Sequence, residues 1–410
     1  MINSGERGFN LPRFSLAERE RRWGAVRALM RVAGFDALIG LPHEGHWDQF
    51  QADIRYLTHI GGHQTEAAVV FPQSGEVTAF VRGGNEVEWW GISQDWVKDI
   101  RPSRRTWGEP VIARLKELGL ERGRIGVSGL SGLTRAPEGT VIWGIFEKIR
   151  QALPHASFEN AAELLQDARS VKSAEEVSWI ERAAEILDRV VAAVLATARP
   201  GVMENEMVAT IWHTIIANGG DYPSMTHWGA GKGVPWATRI APHRPMEAGD
   251  TINMELEAKY GGYIAQTIQA AVFGERPREL VKAFEVSCRI FDELLKIIKP
   301  GVTYRQIVAE YQKMVRETGY IPKGMLLHGR GLGEDRPQIT GEADLSIYGR
   351  PQYTMHLDYP VKEGNIFVLK PGAMPDDTPD TIRCGDTVVV TREGARRLGR
   401  RRFTFPSLAI

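Results

Sequence analysis

The chain has 410 residues, too many for one ordinary hydrophobic core, so two domains are expected. Hydrophobic residues make up 43% and charged residues 25%, and 51 Lys and Arg balance 51 Asp and Glu. This composition excludes a disordered chain and offers no general attraction to nucleic acid or to an anionic membrane. The two cysteines, Cys288 and Cys384, stand outside any CxxC pair, which argues against a disulfide framework or a zinc knuckle. The N-terminus lacks the apolar stretch of a secretory signal, and no apolar run reaches the ~20 residues of a membrane helix. A cytoplasmic protein with no membrane or nucleic-acid partner is the expectation.

From Ser15 to Phe158 helix and strand patterns alternate. Ser15 and Glu18 have capping-box spacing and open a helical periodicity. The runs "DALIGL", "AAVVFP", "VTAFVR" and "RIGVSG" read as strands, and "GTVIWGIFEKIRQAL" as a helix. Between them lie four histidines, His43, His46, His59 and His63, at spacings that match no standard zinc pattern. A domain boundary is expected near Leu165, giving an α/β domain over 1–165 and a second domain over 166–410. Ser173 and Glu176 then form another capping box ahead of a long helix that Pro200 and Gly201 stop.

The second domain repeats itself. "PGVMENEMVATIWHTIIANGG" from Pro200 matches "PGVTYRQIVAEYQKMVRETGY" from Pro300, and "PMEAGDTINMELE" from Pro245 matches "PVKEGNIFVLKPG" from Pro360. Two copies of one helix-and-strand unit predict a pseudo-twofold arrangement around a shared cleft. Glu255 and Lys370 occupy the same place in the two copies, so a carboxylate and an ammonium are expected to face one another. In "MELEAKYGGYIAQTIQ" apolar and polar residues alternate, which predicts a hairpin with Glu255, Glu257 and Gln266 on the cleft face. The basic run "GARRLGRRRF" near the C-terminus reads as a solvated tail.

The pieces "ARSVKSAEEVSWIERAAEI", "MEAGDTINMELEAKYGGYIAQT", "HGRGLGEDRP", "KEGNIFVLKPG" and "TIRCGDTVVVTREG" resemble the creatinase/prolidase/aminopeptidase P family. The resemblance implies a pita-bread α+β catalytic domain behind a smaller creatinase-like α/β domain. The family's metallopeptidases hold two metal ions with two aspartates, a histidine and two glutamates. Carried over, those positions fall on Glu255, Gln266, His328, Lys370 and Gly385, so only the histidine is kept. A dinuclear centre needs several anionic ligands. An ammonium ~4 Å from a unit positive charge repels it by about 4 kcal/mol at an effective dielectric of about 20, and a divalent ion doubles this. The expectation is therefore no metal and no cofactor.

The resemblance implies a metal-independent, creatinase-like hydrolase acting on a C–N or amide bond of a small molecule. His328, Lys370 and Glu255 are the candidate catalytic residues. Histidine is the natural proton carrier, and a lysine can stabilise an oxyanion. Substrate-binding candidates are Glu257, Gln266, His227, Arg330, Asp335 and Arg383. The creatinase-type histidine before the hairpin falls near Thr238, and His227 or His243 could replace it. In creatinase-like homodimers the segment after a Tyr-Leu-Thr strand reaches the partner's site, which here adds His59 and His63. A lyase in the same pocket, a non-catalytic binding protein and a metal-dependent Xaa-Pro peptidase are the alternatives.

Overall fold

The computed structural model describes residues 11–43, 51–62, 65–132, 136–235, 240–333, 335–341, 356–375 and 382–410. The chain divides into two compact units, Met1–Arg169 and Ser170–Ile410. His46, His63, Trp47, Trp236 and Thr238 lie outside the described residues.

The first unit is built on a six-stranded sheet in the order β4-β3-β2-β1-β5-β6. The strands are β1 (Ala37–Gly40), β2 (Ala67–Pro72), β3 (Thr78–Val81), β4 (Asp99–Pro102), β5 (Arg124–Val127) and β6 (Ser157–Asn160). Pairs β1–β2 and β2–β3 run antiparallel, while β1–β5, β3–β4 and β5–β6 run parallel. Helices α4 (Gly108–Glu117) and α5 (Trp143–Ala152) bring Val111, Leu115 and Ile149 onto Ile39, Val70, Phe80 and Val127. Helix α1 (Leu16–Ala33) is capped by Ser15, whose side chain accepts from the Glu18 backbone N–H at 3.1 Å. The Glu18 carboxylate turns instead to Arg21 and Arg22, at 2.7 and 2.6 Å.

One expectation for this unit is corrected. Tyr56, Leu57 and Thr58 end a helix, α2 (Ala52–Thr58), and are not a strand. His59 follows with φ near 60° and packs between the rings of Phe14 and Trp96, with centroids at 5.5 and 5.4 Å. It is half-buried in the bend that follows α2 and packs within this unit. Burial, with Arg55, Arg22 and Arg13 nearby, pulls its pKa down to about 3. His43 sits apart from it, beside Asp53, Ser128, Gln166 and Arg169, and burial lowers its pKa to about 4.

The second unit carries the nine-stranded sheet, whose main path is β12-β11-β13-β15-β9-β8-β7. Its strands are β7 (Thr226–Gly231), β8 (Thr251–Tyr260), β9 (Tyr263–Phe273), β11 (Met325–Gly329), β12 (Gln338–Thr340), β13 (Ile366–Leu369) and β15 (Gly385–Val390). Strand β10 (Ile321–Pro322) pairs with β14 (Ala373–Met374) in a separate ribbon. Strands β16 (Ala395–Arg397) and β17 (Ser407–Leu408) pair with β15 and β9. Helix α7 (Ala174–Thr197), opened by the full Ser173/Glu176 capping box, packs over β8 and β9. Helix α9 (Arg278–Ile297) joins α10 (Tyr304–Arg316) in the core under the other copy.

The duplication extends to individual hydrogen bonds. Gly201 N–H donates to Met246 O at 2.8 Å, and Gly301 N–H to Val361 O at 2.9 Å. Glu247 N–H donates to the Asp250 carboxylate at 2.9 Å, and Lys362 N–H to the Asn365 side-chain oxygen at 2.7 Å. Bridges Met203–Pro245 and Asp221–Lys259 recur as Thr303–Pro360 and Ile321–Met374. The two copies thus pose these strands alike, with Glu255 in β8 and Lys370 directly after β13.

The basic run 394–403 is not a solvated tail. Ala395–Arg397 is strand β16, and Arg397 donates to the buried Asp386 carboxylate at 2.8 Å. Arg401 donates to Gln269 Oε1, Thr267 Oγ1 and Ile268 O at 2.6–2.7 Å, and Arg396 to Glu181 at 2.7 Å. Arg397 and Arg401 are thus held by acceptors on the sheet while Arg396, Arg400 and Arg402 stay exposed, a division that composition alone does not reveal.

A half-buried His59 with a lowered pKa makes acid stability pH-dependent. Its folded pKa lies below the ordinary imidazole value of ~6.5, so the unfolded chain binds the extra proton between about 6.5 and about 3. Stability should fall as pH drops through that window. His59→Asn keeps a residue that tolerates positive φ and should flatten the fall, read by denaturant titrations at a series of pH values.

Candidate active site

Residues paired directly across neighbouring strands point to the same face of a sheet, as do alternate residues on one strand. His227 pairs with Glu255, Glu255 with Ile268, and Glu257 with Gln266. Ile268 pairs with Gly385, and Val368 with both Thr387 and His328. His328, Lys370, Gly385, Gln266, Glu255, Glu257 and His227 therefore line one face. The register alone brings together residues more than a hundred positions apart.

On that face the charges form a continuous hydrogen-bonded chain. Lys370 Nζ donates to Glu255 Oε1 at 2.6 Å. The Gln266 amide NH2 donates to the same oxygen. Gln266 Oε1 accepts from Arg330 at 2.8 Å, and Arg330 also pairs with Glu257. Glu257 accepts from Ser224 Oγ at 3.0 Å. Thr387 Oγ1 fixes the Gln266 backbone, accepting from its N–H at 2.8 Å and donating to its carbonyl at 3.0 Å. Gln266 is an amide bridge with its orientation set at both ends, so it links two ion pairs into one unit.

The ion pairs differ in access. The Glu257 and Arg330 side chains are completely enclosed, while those of Glu255 and Lys370 are 19% and 6% exposed. Burial works against the Glu255 charge, but the Lys370 ammonium, Arg383 and His227 outweigh it and hold the carboxyl well below the ordinary carboxylate range. His227 is half-buried beside Glu255, whereas His328 is wholly enclosed between Val368 and Gln338. The accessible part of the site is thus its Glu255–His227 end. His243 is exposed.

The pair Lys370–Glu255 crosses intervening strands. β13 and β8 are separated by β15 and β9, three spacings of about 4.8 Å, and the sheet is crossed by two extended side chains. The lysine stem runs over Gly385. A Cβ placed there would lie 2.9 Å from Lys370 Cβ and 2.9 Å from Ile268 Cδ1. Beneath, the buried Ser287 of α9 ties the two strand ends together. Its Oγ donates to Pro371 O at 2.6 Å and accepts from Cys384 N–H at 3.1 Å. Sequence reasoning missed Ser287, Ser224 and Thr387. A serine on the apolar face of "LVKAFEVSCRIF" was the available signal for the first, and nothing marked the other two.

Asp335 does not join this row. Its carboxylate pairs with Lys172 at 2.8 Å, and both side chains are almost fully enclosed. Trp228 is core, with its indole N–H donating to Glu204 at 3.0 Å.

A family model, the Creatinase/Prolidase N-terminal domain, matches residues 22–171. Another, Metallopeptidase family M24, matches residues 178–392, more than half of the chain. The chain belongs to the metallopeptidase family M24. The Xaa-Pro dipeptidase of Pyrococcus furiosus is 25% identical over 262 residues, covering 64% of this chain and 72% of that protein. The creatinase of Bacillus sp. is 22% identical over 403 residues, covering 94% and 92%. The crystal structure of a dipeptidase from Pyrococcus horikoshii OT3 superposes with a TM-score of 0.75 at 20% identity, over 94% of this chain and 100% of that one, and shares its fold.

Membership raises the question of a metal ion, and the residues of this face do not fit one. Glu255 Oε1 is already met by an ammonium and an amide NH2, both donors, where a cation would need a lone pair. Lys370 brings a positive charge, and Gly385 has no room for a ligating side chain while the lysine lies over it. Among the described residues no three His, Cys, Asp or Glu side chains come together in an arrangement that could hold a metal ion.

Gly385→Ala should therefore be overpacked, costing about 1–3 kcal/mol, because Lys370 Cβ is the root of its side chain and cannot swing aside. Ser287→Ala leaves a buried N–H and a buried C=O without their partner and should cost a similar ~1–3 kcal/mol. Denaturant unfolding of the intact chain measures both.

Proposed function

We propose that the chain is a metal-independent hydrolase that cleaves a C–N or amide bond of a small molecule. The observation that carries this reading is the Lys370 ammonium, held by Glu255 at 2.6 Å on the floor of the duplicated sheet. The names of the relatives, a dipeptidase and a creatinase, supply hydrolysis of C–N bonds as the reaction class.

The chemistry follows from the groups present. Lys370 stabilises the oxyanion that forms when water adds to the carbon of the scissile bond, a role worth about 2.7–4 kcal/mol for a single donor elsewhere. Glu255, kept ionised by its surroundings, keeps the ammonium charged and aimed. His227 beside Glu255 takes the proton from the attacking water and returns it to the leaving nitrogen. The water oxygen ends on carbon, the C–N bond breaks, and the nitrogen leaves protonated. His328, first assigned the acid–base role, is enclosed, and the half-buried His227 is the better placed for it. Gln266, Glu257 and Arg330 fix the floor. A cytoplasmic location, expected from the composition, and a homodimer implied by the family resemblance, with the segment at His63 reaching the partner's site, are part of the same reading.

The test is turnover of a panel of small amides and amidines by purified protein, before and after exhaustive chelation. The expected result is unchanged turnover with chelator, a fall in kcat of about 10²–10³-fold in Lys370→Met, and ~10²–10⁴-fold in His227→Ala. Chelator-sensitive cleavage of Xaa-Pro dipeptides, restored by divalent metal, would sink the proposal in favour of a metal-dependent peptidase.

A further inference from the structure

The chain has two cysteines in all, and the fold sets them side by side as free thiols. Their spacing in the sequence gives no reason to pair them. Cys384 stands directly before β15 and is wholly enclosed. Its N–H donates to Ser287 Oγ at 3.1 Å, and its Sγ lies 3.5 Å from the same oxygen. Cys288 follows Ser287 on α9 and is half-buried. One turn to either side of it on the helix, Phe284 and Phe291 meet Phe405 and Phe403, with ring centroids at 6.0 and 5.0 Å. Cys288 packs against the same core that contains Cys384, and its thiol is a hydrogen-bonding neighbour of the Cys384 thiol.

The two thiols differ in access. An oxidant in solvent meets the half-buried Cys288 and not the enclosed Cys384. Burial, with the Cys288 thiol beside it, pushes the Cys384 pKa well above the ordinary thiol value. Cys384 therefore stays an inert thiol until an oxidised sulfur is delivered next to it. An accessible cysteine poised beside a second, resolving cysteine is the arrangement of a reversible redox pair. A cysteine can also serve as a small apolar filler. Filling a core does not require that the chain's two cysteines meet, nor that one of them remain open to solvent.

We propose that Cys288 and Cys384 are a reversible dithiol–disulfide pair, oxidised by a small-molecule disulfide. The Cys288 thiolate attacks one sulfur of the oxidant, forms a mixed disulfide and expels the other sulfur as a thiolate. Cys384 gives up its proton, attacks the Cys288 sulfur and expels the second thiolate. The two protein thiols are oxidised by two electrons, the oxidant is reduced to two thiols, and the protein's two protons pass to them. The new S–S bond staples α9 to the strand that begins at Gly385 and closes a loop of roughly a hundred residues, which restricts the unfolded chain. This inference does not depend on the hydrolase reading.

The test equilibrates the full chain with mixtures of reduced and oxidised glutathione, quenches with acid, and reads intact mass and peptides by mass spectrometry. The expected product is a chain lighter by two hydrogen atoms, with one cross-linked peptide joining Cys288 to Cys384 and complete reversal by dithiothreitol. Cys384→Ser should accumulate one glutathione on Cys288. Cys288→Ser should react about ten times more slowly or less, because its remaining thiol is enclosed. In urea the oxidised chain should unfold at a higher concentration than the reduced chain, and oxidant should not shift the midpoint of Cys288→Ser. Absence of the internal disulfide in every mixture, glutathione adducts on the native chain without an internal link, a link formed only between two chains, or an oxidised chain that unfolds at or below the urea midpoint of the reduced one would each overturn the proposal. These outcomes are all read on the native sequence, so they decide the matter even where a serine variant does not fold.

Discussion

The ion pair between Lys370 and Glu255 constrains the rest of the second unit. It joins two strands that are not neighbours, so everything between them must stay low and flat. Gly385 meets that demand by having no side chain, and Ile268 by packing beside the lysine stem. Below, Ser287 holds the ends of the strands that carry Lys370 and Gly385 at one spacing. Each of these residues is ordinary alone. Their joint presence follows from a lysine lying across a sheet.

A buried ion pair contributes little net stability, since the desolvation of both charges offsets their attraction, and apolar residues of equal volume often do as well. This unit holds two such pairs joined through one glutamine amide, with the donors and acceptors of that amide both satisfied. Such an arrangement is weak evidence for a fold and stronger evidence for a use. The gradient of access along it points the same way. The Arg330–Glu257 pair is sealed, whereas the Lys370–Glu255 pair is partly open and Glu255 stands opposite the half-buried His227.

Much of this was legible in the sequence because it depends on local rules and on duplication. The strands "AAVVFP" and "YIAQTIQAAVF" coincide with β2 and β9, and the Ser173/Glu176 box opens α7. The matched prolines and glycines gave the equivalence of Glu255 and Lys370, and that equivalence holds in the hydrogen bonds around them. What was not legible depends on long-range partners. Asp335 carries no mark of Lys172, which is 163 residues away. The arginines of 394–403 look like a solvated block until Asp386, Glu181 and the Thr267–Gln269 stretch are set against them. The resemblance implies a strand at the Tyr-Leu-Thr segment, yet it closes a helix, because seven residues of helix are decided by packing more than by propensity.

The exchange that the family resemblance implies, of one glutamate position for Lys370 and of another for Gly385, has a chemical consequence that neither has alone. A bound metal ion stabilises an oxyanion as a Lewis acid and also lowers the pKa of its water, so it supplies electrophile and nucleophile together. An ammonium supplies the first and not the second. A site organised around Lys370 must therefore find its base elsewhere, on a residue that can both reach the opening and change its protonation. Along the face set by the strand register, the half-buried side chain of that kind is His227, standing directly opposite Glu255. In the proposed reading the position of the base follows from the lysine, and the register of β7 against β8 sets His227 opposite Glu255.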